Sequence, residues 1–214
     1  MTRYPQLVRE VRRRIREATD QTIREIGEHD EQEPVITASL VRGIRESLSG
    51  MHRNGVRVTA QVLSDRGRNS QERRSGADLL GVLDIQLPSF SLSKGFLAQA
   101  KKLQNGLIVG READRTRDQC RRMLRFSPDS FLFAYSADGL WAVPASSVVA
   151  TNSSNINIFG LYYRTLPSFY EVHLTSFVGD PRLGMKPGEK MREVADRVTR
   201  GEPTVLYVSL RPIQ

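Results

Sequence analysis

The chain of 214 residues holds a single cysteine, Cys120. It can therefore form no internal disulfide and no multi-cysteine zinc site, which points to a reducing cytoplasm. Its three histidines, His29, His52 and His173, are scattered without metal-ligand spacing, and no histidine is placed to activate Cys120. Structural or surface roles suit all four residues. No apolar run approaches the roughly 20 residues that cross a bilayer. The opening MTRYPQLVREVRRRIRE is too charged for the apolar core of a signal peptide. There is no phosphate-loop pattern, so GDPRLG reads as a turn. Repeats and low-complexity tracts are absent too. What remains, 39% hydrophobic and 26% charged residues, is the composition of a soluble globular protein with one sizeable core.

Positive charge is plentiful but unevenly placed. Residues 1–50 hold nine basic and nine acidic side chains, and residues 126–214 hold eight of each. Residues 51–125 hold fifteen basic against seven acidic, which accounts for the whole +8. A local field of this sign suits a phosphate backbone, or simply a solvated arginine-rich surface.

Val8, Val11, Ile15, Ala18, Thr22 and Ile26 recur at spacings of three and four, predicting a helix over 5–28 whose narrow stripe packs on the chain or on a second copy. A second helix is expected over 35–51, from the stripe Ile36, Leu40, Ile44 and Leu48. Strands are expected at 56–63, 77–85, 96–101, 130–136 and 140–145, with a hairpin-like link over 86–95. A basic helix fills 111–125, with Cys120 on its inner face, and Trp141 belongs to the core. Residues 156–163 read as extended, 168–178 as a helix capped by Ser168, and 203–210 as a last strand after a short helix. Short strands between flanking helices indicate an α/β sandwich with a mixed sheet.

The segment FLAQAKKL, residues 96–103, raises a chemical question. Side chains two apart share a strand face, so Gln99 and Lys101 lie together, opposite Phe96, Ala98 and Ala100. Asp78 opens the neighbouring apolar strand just after Gly76. A hairpin pairing of the two strands brings Asp78 beside Gln99 and Lys101. A carboxylate, an amide oxygen and the carbonyl of Ala100 are the donors a hard Mg²⁺ accepts, with Mn²⁺ as a substitute. Lys101 would then steer a water or stabilise charge on a phosphate. Each residue also has a plain structural reading. Asp78 can be a turn residue, Gln99 a partner for a backbone group, and Lys101 a guard on a strand edge. Asp84 shares the face of Asp78 but lies about 20 Å along a regular strand, too far for one metal.

The stretches GADLLGVLDI and AQAKKL resemble the PD-(D/E)XK nuclease superfamily in its Q-x-K branch, which includes Mrr-type restriction enzymes and anti-phage effector nucleases. The resemblance covers about residues 33–145. It implies a restriction-endonuclease-like α/β/α sandwich with a central mixed sheet as a core over 31–165. An N-terminal helix over 1–30 precedes that core, and a C-terminal helix-and-strand appendage over 166–214 follows it. It implies Asp78 as principal metal ligand, Gln99 in the place of the commoner glutamate, and Lys101 as the catalytic lysine. Glu72, ahead of G-A-D, and Glu33, just before the helix 35–51, match two further acidic positions. Arg73, Arg74, Lys102, Arg115, Arg121, Arg122 and Arg125 become candidate contacts to DNA. Cutting both strands of a duplex needs two sites, hence a homodimer, with the N-terminal helix as a possible interface. A role in defence against foreign DNA follows from the resemblance alone. A degenerate member that only binds nucleic acid, and a structural subunit of a defence complex, are the rival readings.

Overall fold

The computed structural model describes residues 4–28, 33–63, 75–175, 177–199 and 203–213. Two helices lead: α1 (Pro5–Glu28) and α2 (Glu33–Leu48). There follow β1 (His52–Arg53), β2 (Val56–Leu63), β3 (Leu79–Leu87) and β4 (Phe90–Lys102). Next come β5 (Leu107–Ile108), α3 (Gly110–Phe126), β6 (Ser130–Ser136), β7 (Gly139–Pro144) and α4 (Ala145–Ala150). The chain ends with β8 (Ile156–Asn157), β9 (Arg164–Thr165), α5 (Leu166–Leu174), α6 (Met191–Thr199) and β10 (Thr204–Pro212). No described helix is long and apolar enough to cross a membrane.

Eight strands form one mixed sheet in the order β1-β2-β10-β3-β4-β6-β7-β9. β10 runs parallel to β3 and β4 parallel to β6, and the remaining pairs are antiparallel. β4 and β6 are parallel because α3 carries the chain back across one face between them. Alternate strand residues feed two cores. Leu79, Phe96, Ala98, Phe133 and Leu206 pack under α1, α2 and α5. Leu80, Leu97, Leu132, Trp141 and Val205 pack under α3, α4 and α6. The predicted stripe of α1 is buried, with Val11, Ile15 and Ala18 nearly inaccessible, and it is covered by α2, α5 and the sheet of the same chain. An interface with a second copy would have to use another face of α1.

Several expectations shift. The link 86–95 is almost all strand: β3 and β4 pair from Leu87↔Phe90 onward, leaving a turn at Pro88 and Ser89. Proline fixes φ for the turn and has no N–H to waste there. Residues 156–163 are only briefly extended and then wind into a 3-10 turn, Ile158–Gly160, started by the Asn157 side chain accepting from the Phe159 N–H at 3.0 Å. α5 begins at Leu166 rather than at Ser168, because Pro167 suits its first turn. The largest change concerns residues 166–214, which the pattern set apart as an appendage. β10 instead lies between β2 and β3, inside the sheet. Its run of apolar residues is the signature of a strand covered on both faces.

A buried polar knot joins β10 to β3. Asp84 accepts from the Tyr207 hydroxyl at 2.8 Å, from Gln86 at 3.1 Å and from the Arg211 guanidinium. Burial alone would raise this carboxyl, but the hydrogen bonds from Arg211, Gln86 and Tyr207 outweigh it and hold it below its usual range. The stabilisation is therefore complete above the ordinary carboxylate range and is lost as pH falls through the lowered value. Asp84→Ala, which strands the Tyr207 hydroxyl, should lower the unfolding free energy by about 2 kcal/mol at neutral pH, read from a urea midpoint.

On the opposite face, Lys94 is buried and its ammonium donates to the carbonyl of Val178 at 2.5 Å, the same carbonyl that His173 Nδ1 meets at 3.0 Å. Burial pushes Lys94 from 10.5 down to about 8. Between those values the unfolded chain keeps a proton that the folded chain has released, so this group makes stability rise with pH. From pH 8 to pH 10 the wild type should gain stability relative to Lys94→Met in urea unfolding, and equal slopes would show that burial does not lower the Lys94 pKa.

Candidate functional site

Gly76 directs the chain into β3. Its φ is +73°, and a Cβ there would lie 2.5 Å from the carbonyl oxygen of Gln119 on α3, so only glycine fits. Asp78 comes two residues later, half-buried at the mouth of the strand. Its N–H donates to the carbonyl of Ala98 on β4 at 2.8 Å, and its own carbonyl accepts from the N–H of Thr204 on β10 at 3.0 Å. The backbone of Asp78 is thus held from both sides, and its carboxylate is aimed along the end of β4.

There Asp78 Oδ2 accepts the N–H of Ala100 at 3.1 Å and also the side-chain amide of Gln99. The same amide nitrogen donates to the carbonyl of Ala100 at 3.1 Å. Gln99 is buried, and among the described residues its Oε1 has no hydrogen-bond partner. The three groups expected from the sequence, Asp78, Gln99 and Ala100, therefore meet at one point. Lys101 joins them on the same face as Gln99 and Leu97, toward α3.

Lys101 is held by a residue that sequence reasoning missed. Its Nζ lies 2.5 Å from Oε1 of Glu112, in the first turn of α3. The lysine side chain is 4% exposed and the glutamate 42%, so Glu112 connects a buried cation to the surface. A signal was available. An acid in the first turn of a helix that crosses back over the Gln99 and Lys101 face is well placed to reach the lysine, and negative charge is favoured at a helix N-terminus.

The donor set fits a hard cation in type: one carboxylate, one backbone carbonyl and one amide oxygen that is buried and unpartnered. As arranged, the amide nitrogen bridges Asp78 and the Ala100 carbonyl. A half-turn of the amide would exchange its nitrogen and oxygen, which are near-equal in shape. Among the described residues no three histidine, cysteine or acidic side chains converge as a metal cluster.

The other expected residues are dispersed. Glu72, Arg73 and Arg74 lie outside the described residues. Glu33 opens α2, which packs on the sheet face away from Gln99 and Lys101, and its side chain is also outside them. Lys102 alternates onto that same far face, with Ala100, and so leaves the set of basic groups beside Lys101. Arg115, Arg121 and Arg125 are exposed on α3 and Arg122 is half-buried. Arg121 is paired with Asp118 at 2.6 Å. Burial pushes the Cys120 thiol up to about 12 despite the nearby charges of Lys101 and Arg121, so it is no nucleophile near neutral pH.

Removing Glu112 leaves Lys101 buried without this carboxylate. In a double-mutant cycle of Lys101→Met and Glu112→Ala, a coupling of about 1–2 kcal/mol is expected from unfolding curves. Coupling near zero would show that the pair does not form in solution.

Against known proteins, no family model matches the sequence, and no curated protein and no solved structure matches it.

Proposed function

We propose that the protein is a Mg²⁺-dependent endonuclease that hydrolyses DNA phosphodiester bonds on a restriction-endonuclease-like α/β/α scaffold. Service in bacterial defence against foreign DNA and a homodimeric form are part of this reading. One observation carries it: Asp78, Gln99 and Ala100 come together at the adjoining ends of β3 and β4, with Lys101 on the strand face of Gln99 that α3 crosses. Asp78 with the oxygens of Gln99 and Ala100 would hold the cation. Bound there, Mg²⁺ would supply charge neutralisation to a phosphodiester.

The chain's own groups divide the remaining work. Asp78 provides the only full negative charge among the three donors, since Gln99 replaces a carboxylate by an amide. Metal affinity should accordingly be modest. Lys101 presents a cation in a nearly dry setting, where its field acts strongly on charge developing at a phosphate. Glu112 holds that ammonium in place. Exposed Arg115 and Arg125 extend the positive surface along α3 and would neutralise backbone phosphates.

One observation favours a second reading, a degenerate member that binds nucleic acid without cutting it. The Gln99 amide already satisfies both Asp78 and the Ala100 carbonyl, so the constellation also serves as a closure for the strand end. The two readings separate in one experiment. Wild type and Lys101→Ala are incubated with single-stranded and duplex DNA and Mg²⁺ or Mn²⁺, while thermal midpoints are recorded against metal concentration. The nuclease reading expects cleavage that falls at least about 100-fold in Lys101→Ala, and a metal-dependent rise in midpoint that Asp78→Asn abolishes. DNA binding without cleavage by either protein, together with no metal response, would establish the degenerate reading.

A further inference from the structure

Exposed aromatic rings cluster near the candidate site, on the same side of the sheet. Strand register aligns Lys101 with Ala134 and Ala134 with Trp141, one row across β4, β6 and β7. Trp141 belongs to the core under α3, the face of Lys101, and lies two strands away, roughly 10 Å. The edge of its ring carries Phe159 (centroids 5.1 Å apart, planes at 88°), and Phe159 carries Tyr163 (5.6 Å, 84°). Trp141 is buried, whereas Phe159 is 47% and Tyr163 40% exposed. A row of rings thus leads from the lysine's row out to solvent.

These rings are held rather than loose. Phe159 is set by the Asn157 cap on its N–H and leans on Gly106, where an added Cβ would lie 3.2 Å from the ring. The segment is fixed to the chain just beyond Lys101 by the pairing of β5 with β8, and to α3 by the Gly110 N–H donating to Asn155 Oδ1 at 3.2 Å. A cation flanks it. Arg111 is exposed in the first turn of α3, next to Gly110, whereas Arg164 pairs with Ala142 and belongs to the opposite sheet face. Arg111 has no ion-pair partner among the described residues. Pre-set aromatic faces beside an unpaired guanidinium are the chemistry that receives unstacked bases with their phosphates. Paired bases in a duplex have their faces covered by neighbours and cannot use it.

We infer that Phe159 and Tyr163 form a base-stacking platform that makes single-stranded nucleic acid the preferred substrate class of the adjacent site. The inference rests on the nuclease reading for its catalytic meaning, but binding can be measured without metal. The experiment is fluorescence anisotropy of labelled oligo(dT), of oligo(U) and of a labelled duplex in EDTA, with wild type, Phe159→Ala, Tyr163→Ala and Tyr163→Phe. Each alanine variant should weaken oligo(dT) binding by roughly 5- to 100-fold. Tyr163→Phe should stay within about twofold, since it keeps the ring, and weaker duplex binding should be unchanged in all variants. Equal affinity of the alanine variants and the wild type for oligo(dT) would overturn the proposal. So would a parallel loss on duplex, or self-association in sedimentation that the same variants abolish while binding persists. Comparable binding of oligo(U) supports it, as the stacking faces do not read the sugar. Phe159 also packs on Trp141, so Tyr163, one ring further along the row, keeps the test valid should Phe159→Ala fail to fold. Ring-dependent binding without any cleavage would uphold this inference against the nuclease reading. Duplex cleavage indifferent to the rings would do the reverse.

Discussion

The end of β4 presents a problem that much of the molecule is arranged to solve. At Ala100 the neighbouring chain has already turned away through Gly76, so a peptide N–H and carbonyl in the interior lack a strand partner. An unpaired buried peptide group costs as much as a lost hydrogen bond. Asp78 takes the N–H and the Gln99 amide takes the carbonyl. The polar groups that complete the ladder are the same ones that carry the proposed chemistry. Their positions are consequently set by the fold rather than by side-chain preference.

That closure depends on a strand from the far end of the sequence. Thr204 on β10 accepts the task of holding the Asp78 carbonyl, while β4 holds its N–H. The β10 strand is itself secured to β3 by Asp84, Tyr207 and Arg211 at the opposite end of the sheet. Sheet integrity and site geometry are thereby linked through β10. A buried carboxylate suits this role, because two of its bonds, from Tyr207 and Arg211, tie β10 to β3.

The buried cations are treated differently on the two faces. Lys101 meets a carboxylate that reaches the surface, so its charge is balanced and remains close to solvent. Lys94 donates to a peptide carbonyl, and burial lowers its pKa despite the charge of Asp129. Of the two buried lysines on β4, the paired one lies beside the polar constellation, and the other fastens the segment around Val178.

Much was legible in the residues themselves. The spacing of Val11, Ile15 and Ala18 defines α1, since helical period and apolar stripe coincide there. The i, i+2 relation of Gln99 and Lys101 defines their common face, and Asp78 could be set beside them because a hairpin admits few pairings. Other features were hidden in principle. The apolar run TVLYVSL marks a buried strand, but nothing local in it names β2 and β3 as its neighbours, because a strand's neighbours are chosen by the whole chain. Glu112 escaped notice for the same reason: its contact with Lys101 exists only once α3 has crossed the sheet. The row from Lys101 through Trp141 to Phe159 is likewise a product of register, not of sequence order. Local pattern determined the elements and their faces, while the choice of neighbours, a matter of long-range packing and backbone pairing, was decided only by the tertiary structure.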